Sequence, residues 1–140
     1  MKWLLDTCVL SEFSKPTPEP AVVDWLRKQA DADLAISVLT IGEIEKGIYR
    51  LPESAKKNRL LVWLESEVLG RFEDRIMAID LAVVKQWARF QAETEKKGRS
   101  LAAIDGLLAA TAQAHQMTLV TRNNPDMEAT GVSLFNPWIS

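Results

Sequence analysis

A single cysteine, Cys8, leaves this 140-residue chain with no intramolecular disulfide to form, so nothing in it asks for an oxidising compartment. Histidine is as scarce: His115 stands alone, and without a Cys/His cluster the chain lacks the ligand set of a structural zinc site. Long apolar runs are missing too. The N-terminal stretch Met1–Leu5 is interrupted by Asp6 before a signal-peptide core can form, and no later segment is long enough to cross a bilayer, so the expectation is a cytoplasmic protein without a membrane contact. No excess of positive charge is present. A net charge of −2, from 17 basic and 19 acidic residues, excludes a bulk polycation and confines any dealings with a polyanion to a local basic rim or a bound metal. Internal repeats and low-complexity tracts are also absent.

What the chain does contain is the material of one globular domain, residues 1–140, with 47% hydrophobic and 26% charged residues. Short apolar runs alternate with longer segments of helical spacing. Met1–Leu5, Leu34–Val38, Arg75–Ile79, Thr118–Thr121 and Val132–Phe135 read as strands, continuous rather than alternating, which is the pattern of strands buried on both faces. Between them, helices are predicted over Thr7–Phe13, Ala21–Gln29, Thr40–Tyr49 with Thr40 as cap, Ser54–Val68 ended by Gly70, Asp80–Lys97, and Leu101–His115 capped by Ser100. Only the connection 122–131 is short. The order implies an α/β fold: a three-layer sandwich of about five parallel strands with helices on both faces and right-handed crossovers.

Four acids share a position in that plan. Asp6 ends the first strand; Glu43 opens the helix after the second; Asp105 lies in the first turns of its helix; Asp126 lies in the loop after the fourth strand. Strand ends and following helix starts meet at one edge of a parallel sheet, where ligands of open α/β folds bind. Carboxylates gathered there repel unless a cation separates them, and all-oxygen ligation favours Mg²⁺ or Mn²⁺ over zinc. Thr7, Thr40, Thr121 and Asn123 offer hydroxyl or amide groups at the same edge. Such an ion polarises a phosphoryl oxygen and activates water, so no protein nucleophile is required for phosphodiester hydrolysis.

Each residue also has a plainer reading. Asp6 suits a strand-terminating turn, Glu43 completes a Thr40-x-x-Glu43 capping box, Asp105 fits an amphipathic surface, and Asn124-Pro125-Asp126 is turn chemistry. Cys8 reads as buried and inert, and His115 as a contact of a helix C-terminus. Lys46, Arg50, Arg99 and Arg122 either rim the site or are solvated surface charges.

The ordered motifs Leu4-Leu5-Asp6-Thr7 with Ser11-Glu12, Ser37-x-x-Thr40-x-x-Glu43-x-x-x-Gly47-Ile48, residues 103–112, Leu119-Val120-Thr121-Arg122-Asn123, and Gly131-Val132 leading to Asn136-Pro137-Trp138 cover nearly the whole chain. In them the sequence resembles PIN-domain ribonuclease toxins of the VapC/FitB type. The resemblance implies a PIN fold, metal binding by Asp6, Glu43 and Asp105 with Asp126 as a more variable fourth acid, and Mg²⁺-dependent endoribonuclease activity as the toxin of a type II toxin-antitoxin pair. It departs where Met127-Glu128 follow Asp126 in place of a common aromatic, which leaves the fourth position open among Asp126, Asn123 and Glu128. It further implies a homodimer, an RNA substrate, and a cognate VapB/FitA-like antitoxin that binds operator DNA. Competing classes are a non-catalytic PIN-fold module acting with an antitoxin on DNA, and a phosphoacceptor domain phosphorylated on Asp6. RNA target and number of metal ions are not written in the spacing.

Overall fold

A computed structural model of the chain describes residues 1–122 and 124–139. Five strands, β1 (Trp3–Leu5), β2 (Leu34–Ser37), β3 (Ile76–Met77), β4 (Thr118–Val120) and β5 (Leu134–Phe135), form one sheet in the order β3-β2-β1-β4-β5. Every pairing is parallel. Eight α-helical segments surround it: α1 (Thr7–Glu12), α2 (Pro20–Arg27), α3 (Val38–Tyr49), α4 (Ala55–Val62), α5 (Leu69–Arg71), α6 (Leu81–Lys96), α7 (Ala103–Ala114) and α8 (Pro125–Glu128). A π-helical stretch, Trp63–Val68, joins α4 to α5.

The unbroken apolar strands are explained by two cores. Leu4, Ala35 and Leu119 point into one, with Val83 and Phe90 of α6 and Leu108, Ala109 and Ala112 of α7. Their strand neighbours Leu5, Leu34, Ile36 and Val120 point into the other, against Val9, Leu10, Val22, Leu26, Ile44, Ile48 and Leu64. Successive side chains alternate between faces, so a central strand covered on both sides is apolar at every position. Trp3, Trp25 and Phe135 close the second core with ring centroids 5.1–5.7 Å apart.

The strand order fixes the working edge. From β1 the chain moves outward to β2 and β3, then returns to β4 on the other flank of β1, which makes the β1/β4 boundary a topological switch point. Buried Glu12 braces this region: its carboxylate accepts from Lys15 Nζ and the Glu19 amide and lies 4.0 Å from Arg122, just beyond β4. Burial opposes its charge, yet these partners hold its carboxyl below the usual range.

Three predicted helix ends move. The cap of α3 is Ser37, whose Oγ accepts from the Leu39 amide, rather than Thr40, because the serine at the strand end is already in place two residues before it. At α7 the boundary residue is Ala102 and not Ser100; Gln91 of α6 donates to the Leu101 carbonyl and keeps that segment extended. The helix through Val68 does not stop at Gly70 but runs through Arg71. The short 122–131 connection contains α8, capped by Asn124 and started by Pro125. Asp80 caps α6 through the Val83 amide, and Ser54, read only as the start of its segment, caps α4 through the Lys57 amide.

Helices α6 and α7 approach closely at Gly106. A Cβ there would lie 2.8 Å from Gln91 Nε2 and 3.1 Å from the Trp87 ring. Glycine to alanine inside a helix ordinarily stabilises by about 0.5–1 kcal/mol; at this contact overpacking reverses the sign. Gly106→Ala is expected to lower unfolding free energy by about 1–2 kcal/mol in a urea titration. Equal or higher stability would show that the helices can separate without loss.

Candidate active site

Asp6 follows β1 directly, its amide donating to the Val120 carbonyl of β4. Its carboxylate is held from two sides: the Thr7 amide donates to Oδ1 at 2.7 Å and the Thr121 hydroxyl to Oδ2 at 2.7 Å. Glu43 arrives on α3, and the Thr7 hydroxyl donates to its Oε1 at 2.7 Å. One residue, Thr7, thus serves both acids, its amide on one and its hydroxyl on the other. The capping-box role for Glu43 does not arise, since Ser37 caps α3. Asp105 lies in the first turn of α7 and acts by charge on Asp6, which places it at the edge where β1 ends. The Asn124 amide donates to Asp105 Oδ2 at 3.3 Å while its Oδ1 accepts from the amides of Asp126 and Met127.

Electrostatics bind the three acids into one group. Burial raises the pKa of Asp6; the Thr121 hydroxyl and Thr7 amide pull it back, and Asp105 and Glu43 push it up again by like charge. Among the described residues no lysine, arginine or histidine forms an ion pair with any of the three. Thr40, one helical turn before Glu43, is fully buried with no partner for its hydroxyl.

Asp126 stands apart. Its carboxylate lies 3.8 Å from Arg99 and is not among the groups acting on Asp6. Glu128 is exposed on α8, and Asn123 lies outside the described residues. Cys8 is half-buried with its thiol 3.7 Å from the Thr121 hydroxyl; burial and Asp6 push its pKa up, so it is a poor nucleophile. His115 is exposed at the end of α7. Asn124 is the residue that sequence reading passed over: it was visible as Asn before Pro at a helix start, but its contact with Asp105 is tertiary.

The donor set suits a hard cation. Asp6, Glu43 and Asp105 offer only oxygen, carry uncompensated like charge, and stand beside an orphaned hydroxyl. Among the described residues no three His, Cys, Asp or Glu side chains are close enough to enclose one ion. Mg²⁺ tolerates this, because it commonly keeps several waters and takes one or two carboxylates.

A PIN-domain model matches residues 3–132. The chain belongs to the PIN-domain family. Toxin FitB of Neisseria gonorrhoeae is 38% identical over 135 residues, covering 96% of this chain and 97% of the relative. The VapC ribonuclease Y4jK of Sinorhizobium fredii is 33% identical over the same length, covering 96% of each. The crystal structure of FitAcB from Neisseria gonorrhoeae superposes this PIN domain with a TM-score of 0.92 at 38% identity, covering 97% of this chain and 98% of that one. The structure of FitAB bound to an IR36 DNA fragment gives the same score and identity, covering 97% of this chain and 95% of that one.

The raised pKa of Asp6 has a defined consequence for stability. The folded PIN domain holds the Asp6 proton more tightly than the unfolded chain, so stability falls as pH rises from the ordinary value of 3.8 through the raised one, and the full penalty remains above it. In metal-free buffer at neutral pH, Asp6→Asn is expected to raise Tm by about 2 °C or more. The gain should vanish below pH 3.8, where both side chains are neutral. A lower Tm for the variant at neutral pH would refute the strained-carboxylate description.

Proposed function

We propose that this chain is a divalent-metal-dependent endoribonuclease and the toxin of a type II toxin-antitoxin pair. The observation that carries the reading is the group of three acids at the sheet's switch point, mutually repelling and without an internal cation. The names of relatives agree with it: VapC ribonuclease for one, and Ribonuclease VapC4 of Mycobacterium tuberculosis for another, 31% identical over 106 residues. FitAB on DNA supports a partner antitoxin that binds DNA, and a homodimer is proposed with it.

In this reading Asp6, Glu43 and Asp105 would hold Mg²⁺ or Mn²⁺ between them, one or two directly and the remainder through the waters such an ion keeps, and Asp126 is the outer, fourth carboxylate on the rim where Arg99 meets it. The ion supplies charge stabilisation for a phosphoryl oxygen and lowers the pKa of water at the site. Everything else is the chain's own contribution. Thr121 and the Thr7 amide fix the Asp6 carboxylate by both oxygens, so it is oriented before a ligand arrives. The Thr7 hydroxyl turns Glu43 toward the same edge, and the Asn124 amide steers Asp105. In-line hydrolysis leaves 5′-phosphate and 3′-hydroxyl ends.

The test combines purified protein with a defined single-stranded RNA and Mg²⁺, Mn²⁺ or a chelator. Cleavage is expected only with the cation, and Asp6→Asn, Glu43→Gln and Asp105→Asn should each lose on the order of 10²–10³-fold or more in rate. About 10 mM cation should also raise the Tm of the wild type and leave Asp6→Asn unmoved. A folded wild type that binds an antitoxin yet cleaves no RNA under any of these conditions would favour the non-catalytic module instead.

A further inference from the structure

A groove of about 430 Å³ opens beside Glu43 and runs along α3. Glu43, Lys46, Gly47 and Arg50 line it at positions i, i+3, i+4 and i+7, the spacing of a single helix face. Gly42 and Gly47 have open space where a Cβ would be, so helix backbone is bared on the groove floor. Val38 and Ile104, 41% and 36% exposed, form an apolar wall.

The two cations in this groove have no ion pair or hydrogen bond from their side chains among the described residues. Both acids of their helix have other partners: Glu43 accepts from the Thr7 hydroxyl and Glu45 from the Tyr49 hydroxyl at 2.8 Å. Lys57, Arg71, Arg75 and Lys97 all spend their charge on internal partners. Lys46 and Arg50 are four residues apart, about 6 Å along the axis at 1.5 Å per residue, comparable with neighbouring phosphates of an extended strand.

We infer that this groove is the track for the substrate strand: Lys46 and Arg50 each bind one phosphate of a single-stranded RNA whose scissile bond lies at Glu43, with Val38 and Ile104 receiving an unstacked base. This rests on the nuclease reading and adds to it the direction in which the strand leaves the acids. Positive charge is needed here because the acids repel a polyanion and the chain as a whole is negative. The open glycines let the backbone of the strand lie against the helix. A single strand is selected because only unstacked bases expose apolar faces to the wall, whereas a duplex buries them in its own stack.

Binding is measured without cleavage, using Asp6→Asn in chelator and a fluorescent 12-nucleotide RNA, about 12 being enough to overrun the groove. Adding Lys46→Ala and Arg50→Ala together is expected to weaken affinity at least tenfold near physiological salt. The slope of log affinity against log salt should become shallower by about 1.4, or about 0.7 for each lost phosphate contact. In the otherwise wild-type enzyme the same pair should fall on KM more than on kcat. A duplex of the same sequence should bind at least fivefold more weakly than the single strand. Unchanged affinity and slope would overturn the track, and equal affinity for the duplex would overturn its single-strand character. If RNA binds through Lys46 and Arg50 but no cation elicits cleavage, the nuclease reading falls while the groove assignment stands.

Discussion

The hydrogen bond from the Thr121 hydroxyl to Asp6 joins the ends of two neighbouring strands and holds a carboxylate where most of its water has been removed. Two forces act on that carboxylate in opposite senses. Desolvation and the charges of Asp105 and Glu43 favour its neutral form, while the donors on both its oxygens favour the charged one. The backbone of Asp6 is anchored through its own amide to β4, and the Thr7 and Thr121 donors hold the carboxylate on that anchored backbone. Such a residue is a standing cost to the fold, tolerable only in a frame with stability to spare.

That frame comes from the covering of the sheet on both faces. Burial of Leu4, Leu5, Leu34, Ile36, Leu119 and Val120 at 0% exposure places the central strands beyond reach of solvent. Each fully buried aliphatic side chain contributes on the order of 1.5–3 kcal/mol relative to an exposed one, so a few of them offset a strained carboxylate several times over. The close approach of α7 to α6 at Gly106 lies one residue from Asp105, which couples packing to the site. Both helices also supply the first core, through Val83 and Phe90 and through Leu108, Ala109 and Ala112, so a shift of the pair would move the acid and the core together.

The strands and their order of burial were legible because covering on both faces leaves a simple mark, uninterrupted apolar residues. Acids directly after such runs, as at Asp6, or in the first turn of a helix, as at Asp105, inherit a position from topology; Glu43, expected to open its helix, lies in the second turn of α3 because that helix already starts at Val38. Capping was less legible. Thr40 and Ser100 both satisfy the local pattern, but Ser37 wins at α3 because its Oγ reaches the Leu39 amide from the strand end, and Ser100 loses to the tertiary hold of Gln91 on Leu101. Local chemistry proposes several helix starts, and contacts from other elements choose among them. The same limit hid Asn124, whose cap to α8 is local while its contact with Asp105 spans 19 positions. Thr7 was read at this edge, but the choice of Glu43 as partner of its hydroxyl, across 36 positions, is tertiary. Asp126 was read by its place after β4, and nothing local announced that Arg99 would meet its carboxylate.

Charge distribution, finally, matters more here than net charge. A chain of −2 with three acids at its working edge ought to repel a polyanion, and at long range it does so only weakly, because exposed charges farther apart than about 8–10 Å are screened at physiological salt. Within that range the arrangement is local: Glu43 stands at one end of the groove on α3, and Lys46 and Arg50, without an ion pair among the described residues, lie one and two turns farther along it. Repulsion and attraction are thereby separated along one rigid helix. Lys46 stands one turn from Glu43, a spacing at which ion pairs form, yet among the described residues neither it nor Arg50 makes one, so the acids are not neutralised from within and both positive charges stay uncommitted.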